Sequence, residues 1–199
     1  MQAGGTLRQA GELTIKTSRP QGPDLWWRVK NFPYWWRGAW KVFLARALKM
    51  SRHYGELRII VHYANGTDID YGVVTYRVVT NEFVAQLTTA LAGTTTRFID
   101  YDYHDVGTGT TAENVTDTAL VTPYGGARAT GTPSTPASNQ YRSTATITPG
   151  GTFAITEHGL FDAASGTDEL MDRSVFSAIN VVAADSITAQ YTLTSNAGG

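Results

Sequence analysis

Glu157, His158 and Gly159 stand together in the stretch TFAITEHGLFD. An acid beside a histidine is the minimum for proton transfer, but both must reach one substrate. The surrounding residues read as a strand. Ile155, Glu157 and Gly159 alternate with Thr156 and His158, so neighbouring side chains leave opposite faces. Glu157 and His158 then cannot easily serve a single substrate. Gly159 is expected to supply a bulge or tight bend, with Leu160 and Phe161 plugging the core behind it. A second acid–histidine group, Asp102, His104 and Asp105, lies in YDYHDVGTGTTAEN. Asp102 and His104 share a strand face, yet divalent metals want three or more converging ligands, and the full calcium-loop pattern is absent. GTGTTAEN lacks the lysine of a phosphate loop, and no G-x-S-x-G elbow marks a nucleophile. There is no cysteine, so disulfides and thiolate metal sites are excluded. No catalytic residue, metal ligand or cofactor site is assigned, and the chain is read as non-enzymatic.

The stronger signal lies in the distribution of charge. Residues 1–58 hold eleven of the sixteen Lys and Arg and three acids, whereas residues 59–199 hold five Arg and fourteen acids. All five Trp lie between Trp26 and Trp40. Such asymmetry marks an interaction segment. Three partners suit a basic, Trp-rich stretch: a membrane interface, a nucleic acid bound through phosphates and stacked bases, or a groove on another protein, where Trp and Arg are typical anchors. Protein docking is favoured, with Trp26, Trp27, Arg28, Trp35, Trp36, Arg37 and Trp40 as contact residues. Nucleic acid ranks behind it. The alternative is that several of these indoles pack on their own domain. No apolar run approaches the length of a membrane-spanning helix, and the first eighteen residues lack the apolar core of a secretory signal.

These residues need elements to position them. Residues 1–24 read as an extended arm. Pro33 should break any helix before it, and Trp40, Phe43, Leu44, Ala47 and Leu48 recur at helical spacing over Ala39–Met50, with Lys41, Arg46, Lys49 and Arg52 elsewhere around the wheel. Two strand-like runs flank Asn65-Gly66, a hairpin signal. Thr80 and Gly93 bracket a second helix whose expected face is Phe83, Val84, Leu87 and Leu91. From Arg97 onward, short strand-like runs alternate with turn clusters: RFIDYDYH, TALVT, ARATGT, QYRSTATIT, TFAITEHGLF, RSVFSAINVV and SITAQYTLTS. Residues 130–139 read as an exposed Pro/Ser/Thr loop. This predicts a mainly β protein: an antiparallel sandwich or jelly-roll-like domain over 56–199, preceded by an N-terminal segment over 1–55 with an extended arm and a short helix.

The C-terminal pattern, Glu157-x-Gly159-Leu160-Phe161 followed by Leu170-Met171-x-Arg173 and Phe176, resembles structural proteins of tailed bacteriophages. The resemblance covers roughly residues 70–199. It implies a virion protein assembled in the bacterial cytoplasm, where the lack of cysteine fits a reducing compartment. Within such a particle the basic, Trp-rich arm points to a capsid decoration or cement protein that bridges major capsid subunits, with self-association as a homotrimer expected. The alternative is a tail, neck or fibre-attachment protein; the alternative of another class is a nucleic-acid or membrane-surface binder. Under the resemblance Glu157 leaves the sheet beside a tight Gly159 turn and meets Arg173 on the next strand. Leu160, Phe161 and Phe176 lie beneath, forming a fold-specifying corner.

Overall fold

A computed structural model describes residues 21–47, 52–77, 79–93, 101–166 and 170–197. The expected extended arm over 1–24 falls almost wholly outside these residues, as do Leu48 and Lys49. The fold is mainly β, two antiparallel sheets packed as a sandwich with two helices. In chain order the elements are α1 (Leu25–Ala47), β1 (Arg52–His62), β2 (Asp68–Arg77), α2 (Asn81–Leu91), β3 (Tyr103–Gly107), β4 (Ala129–Thr130), β5 (Thr132–Ala137), β6 (Gln140–Ile147), β7 (Phe153–Phe161), β8 (Leu170–Val181) and β9 (Ser186–Asn196). The strand orders are β2-β1-β9-β6-β5 and β4-β3-β7-β8.

The hairpin expected at Asn65-Gly66 joins β1 to β2, with Gly66 at φ 81°, where a side chain would be strained. Alternating apolar residues of both sheets meet between them. Leu57, Ile59, Val61, Ile147, Ile187 and Ala189 come from the first sheet, and Val106, Ile155, Phe176, Ile179 and Val181 from the second. At one end α2 closes the core. The Thr80 hydroxyl caps it by accepting from Phe83 N, and Phe83 packs with Tyr101, Leu160, Met171 and Tyr191. Of the expected α2 face only Phe83 is buried; Val84 and Leu91 are exposed.

Three expectations are corrected. The helix does not begin after Pro33 but runs through it from Leu25 to Ala47. Pro33 and Val29, whose carbonyl the missing N–H would have bonded, both lie on the exposed side, where water can satisfy that carbonyl. Residues 132–137 form an edge strand and not a loop. β5 is exposed throughout, and Pro133 and Pro136 on it are what an edge strand tolerates. TALVT, residues 118–122, is not a strand. Leu120 instead covers Phe161 and Leu170 on the outer side of the second sheet. The anticipated boundary between residues 55 and 56 falls inside β1, which pairs with β9 from Arg52 onward. Among the described residues no helix is long and apolar enough to cross a membrane.

Candidate docking surface

α1 lies across one open side of the sandwich, where the edge strands β2 and β8 face each other. Its inner residues recur every three or four positions: Trp27, Asn31, Tyr34, Trp35, Gly38 and Val42. Buried Asn31 joins both edges. Its side-chain amide donates to Val74 O at 2.7 Å, and its carbonyl accepts from Ser177 N at 3.1 Å. The Trp27 indole donates to Ser177 O at 3.3 Å and meets the Tyr71 ring edge-on at 4.7 Å. Ser177 is available because β8 bulges there, setting Phe176–Ala178 against Thr156 of β7. Gly38 lets the helix touch β2, since a Cβ there would collide with the Tyr76 carbonyl. The start is fixed by Asp24, whose carboxylate accepts from Trp27 N at 2.7 Å.

The outer face of α1 is apolar. Leu25, Trp26, Val29, Phe32, Trp36, Trp40, Phe43 and Leu44 are all exposed, from 38 % for Leu44 to 75 % for Leu25 and Trp26. Four of these rings stack in series: Phe32 on Trp36 at 5.8 Å, Trp36 on Trp40 at 6.0 Å, and Trp40 on Phe43 at 5.4 Å, with planes within 23°. Sequence spacing places Trp40, Phe43 and Leu44 on one apolar face of a helix, with Trp40 expected as a partner contact. They face out, because the starting point fixed by Asp24, Asn31 and Gly38 rotates them away from the sheets. With about 150–250 Å² for a whole aromatic side chain, the eight side chains of this face together expose roughly 900 Å². That exceeds the about 300–600 Å² of the largest apolar patch on an ordinary monomer and matches the about 800 Å² per partner of a standard interface.

The seven expected contact residues therefore separate. Trp26, Trp36 and Trp40 belong to the outer row, and Arg28 and Arg37 are exposed beside it. Trp27 and Trp35 are half-buried on their own sandwich; the Trp35 ring lies edge-on to Tyr76 at 6.1 Å. Phe32 and Phe43 were missed. The signal that finds them is the 29-32-36-40-43 spacing, which Pro33 concealed.

The acid–histidine pair serves the interior. Glu157 is fully buried. Its carboxylate accepts from Gly109 N at 3.0 Å, Val121 N at 3.1 Å, Thr122 N at 2.7 Å and Arg173 Nε at 2.8 Å. Arg173 also reaches Asp117 and the Thr111 carbonyl, both at 3.1 Å. Glu157 thus ties the 109–122 excursion onto the outer side of the second sheet. The corner itself is corrected: β7 continues through Gly159 to Phe161, and Gly159 pairs with Arg173 inside the ladder. Glu157 and Arg173 meet diagonally. Gly159 is not at positive φ; a side chain there would press on Phe161 and Leu120. Strict alternation also fails at the bulge, since Thr156 and Glu157 both bond to Gly109. Leu160, Phe161 and Phe176 are buried in three separate clusters.

His158 points the other way, into the sandwich. Its Nε2 lies 2.9 Å from His104 Nδ1, and His104 Nε2 lies 2.8 Å from the Ser143 hydroxyl, a chain that links both sheets. His158 Nδ1 is buried without a hydrogen-bond partner. Burial pulls the His104 pKa down to about 3, and burial plus the neighbouring ring pulls that of His158 well below the usual histidine range. Buried Asp172 is pushed up to about 6 by desolvation, against the pull of Ser174, Arg77 and Tyr191. Arg77, held down by burial, keeps its Nε 3.0 Å from Glu113 as an ion pair without hydrogen-bond alignment. Both His104 ring nitrogens are engaged, by His158 and by Ser143, so His104 is not presented together with Asp102 to a metal. Among the described residues no group of three or more acidic or histidine side chains could hold a metal ion.

Comparison with family models, with curated proteins and with solved structures finds no match for this chain.

Proposed function

We propose that this chain is a non-catalytic structural protein of a bacteriophage particle, fixed to neighbouring virion proteins by the outer face of α1, with the capsid exterior as its position. The observation that carries the docking role is the stacked row Phe32-Trp36-Trp40-Phe43, exposed on a helix whose other face is bonded to the sandwich. An isolated amphipathic arm would lose conformational entropy on docking. A helix already mounted on a rigid body has lost that freedom on folding, so more of its contact area is expressed as affinity. The phage assignment is supported by the E-x-G-L-F…L-M-x-R resemblance alone. A decoration protein repeats its contact over a symmetric shell, so a modest interface sums to a large stabilisation. Labelling the protein on purified particles and locating the label by electron microscopy tests the assignment. Signal over the whole head supports a decoration protein, signal at one vertex or the tail overturns the position, and absence from particles overturns the reading.

A further inference from the structure

We propose that the outer face of α1 is received by an apolar trough on a partner protein, with carboxylates concentrated along one rim of that trough. The inference rests on the docking reading and names the chemistry of the surface opposite. The ridge residues Val29, Phe32, Trp36, Trp40 and Phe43 follow the anchor spacing of a helix laid in a groove. From Leu25 to Leu44 the ridge runs roughly 28 Å at 1.5 Å per residue, which sets the length of the trough.

The charges fix its rim. At about 100° per residue, Lys30, Arg37 and Lys41 fall on one flank of the ridge and Arg28 on the other, with Arg46, beyond the end of the ridge, on the flank of Arg28. Lys30, Arg37, Lys41 and Arg28 are exposed. α1 contains no Asp or Glu, and Asp24 just before it is engaged as the cap of Trp27. Lys30 and Arg37 are spaced roughly 10 Å along the axis, so carboxylates at a similar interval on one rim complement them. A second copy docked ridge to ridge is a poor occupant, since two ridges packed together would set cations against cations with no carboxylate on either helix. A bilayer is disfavoured by the one-sidedness, because a helix lying in the headgroup plane carries its Lys and Arg around a whole polar face, whereas here that side is occupied by the sandwich.

Three synthetic amphipathic helical peptides test this, each with the same Leu/Ile face and one flank of Glu, Gln or Lys. They are titrated into the full chain while Trp fluorescence is read. The Glu peptide should bind at least tenfold tighter than the Gln peptide at low salt, with the Lys peptide weakest and the Glu advantage shrinking in 0.5 M salt. Trp36→Ala/Trp40→Ala should abolish binding with its thermal unfolding unchanged. Lys30→Ala/Arg37→Ala should keep binding and lose the Glu-over-Gln preference. Equal binding of the Glu and Gln peptides overturns the proposal. So does tighter binding to phosphatidylglycerol-containing vesicles than to any peptide, or self-association in sedimentation that the Trp variant abolishes. Charge-indifferent binding with the ridge still needed on particles defeats only the rim. Particle attachment unaffected by the Trp variant defeats the docking reading as well.

Discussion

The buried histidine pair makes the sandwich sensitive to mild acid in a way that can be calculated. Folded His104 stays neutral to about pH 3, while an unfolded histidine takes a proton near 6.5. Between these values the unfolded chain binds more protons, so stability falls as pH falls. Each such histidine withdraws about 1.4 kcal/mol per pH unit below 6.5, or about 2 kcal/mol by pH 5. Asp172 acts with the opposite sign. Its folded pKa of about 6 lies above the unfolded value, so its destabilising effect is fully felt at neutral pH and is relieved on acidification. Desolvation raises Asp105 and Glu56 too, in the same sense. The whole-protein curve is therefore flatter than the histidines alone would give, and the informative quantity is a difference. His158→Gln keeps an amide opposite His104 Nδ1 and removes one titrating group. Whatever it costs at pH 7, it should lose about 2 kcal/mol less than the parent between pH 7 and pH 5. For a chain of this size that corresponds to about 4–8 °C in the relative shift of melting temperature. Calorimetric melts of both proteins at the two pH values measure it. Parallel pH dependences would refute the claim that His158 is buried and neutral.

Glu157→Gln should cost about 3 kcal/mol in urea unfolding, because it removes the fully buried carboxylate from Arg173 Nε and leaves only the more exposed Asp117 as counter-charge. The 109–122 segment should become the first to exchange its amide hydrogens. Asn31→Ala should cost about 2–4 kcal/mol, since Val74 O and Ser177 N both lose their buried partner. Hydrogen exchange should show α1 opening ahead of the sandwich.

The sheet content was largely legible because six strands carry strand-like apolar patterns and one hairpin carries its own turn signal. The runs that became β1, β2, β6, β7, β8 and β9 each read as strands. What sequence could not show was the side of α1 that would be buried. Trp27 and Trp36 are the same residue type nine positions apart; only the edges of β2 and β8, brought together from distant parts of the chain, decide which one is covered. The proline rule misled for the same reason, as Asn31 and Gly38 hold the helix to the sandwich on either side of Pro33. The Glu157–Arg173 pair was legible as chemistry but not as geometry, because a bulge in β8 and the covering segment 109–122 set its partners. His104 and His158 were each visible, but their contact across β3 and β7 needed the register.

Trp36→Ala/Trp40→Ala removes the middle of the exposed row without touching the bonds that hold α1 to the sandwich. Its unfolding free energy should stay within about 0.5 kcal/mol of the parent, as for surface substitutions. The decisive measurement is the amount of this variant retained on purified particles relative to the parent, beside that stability check. Loss of retention with stability intact is the result expected of a docking face. Full retention, or a loss matched by unfolding of the sandwich, would contradict it.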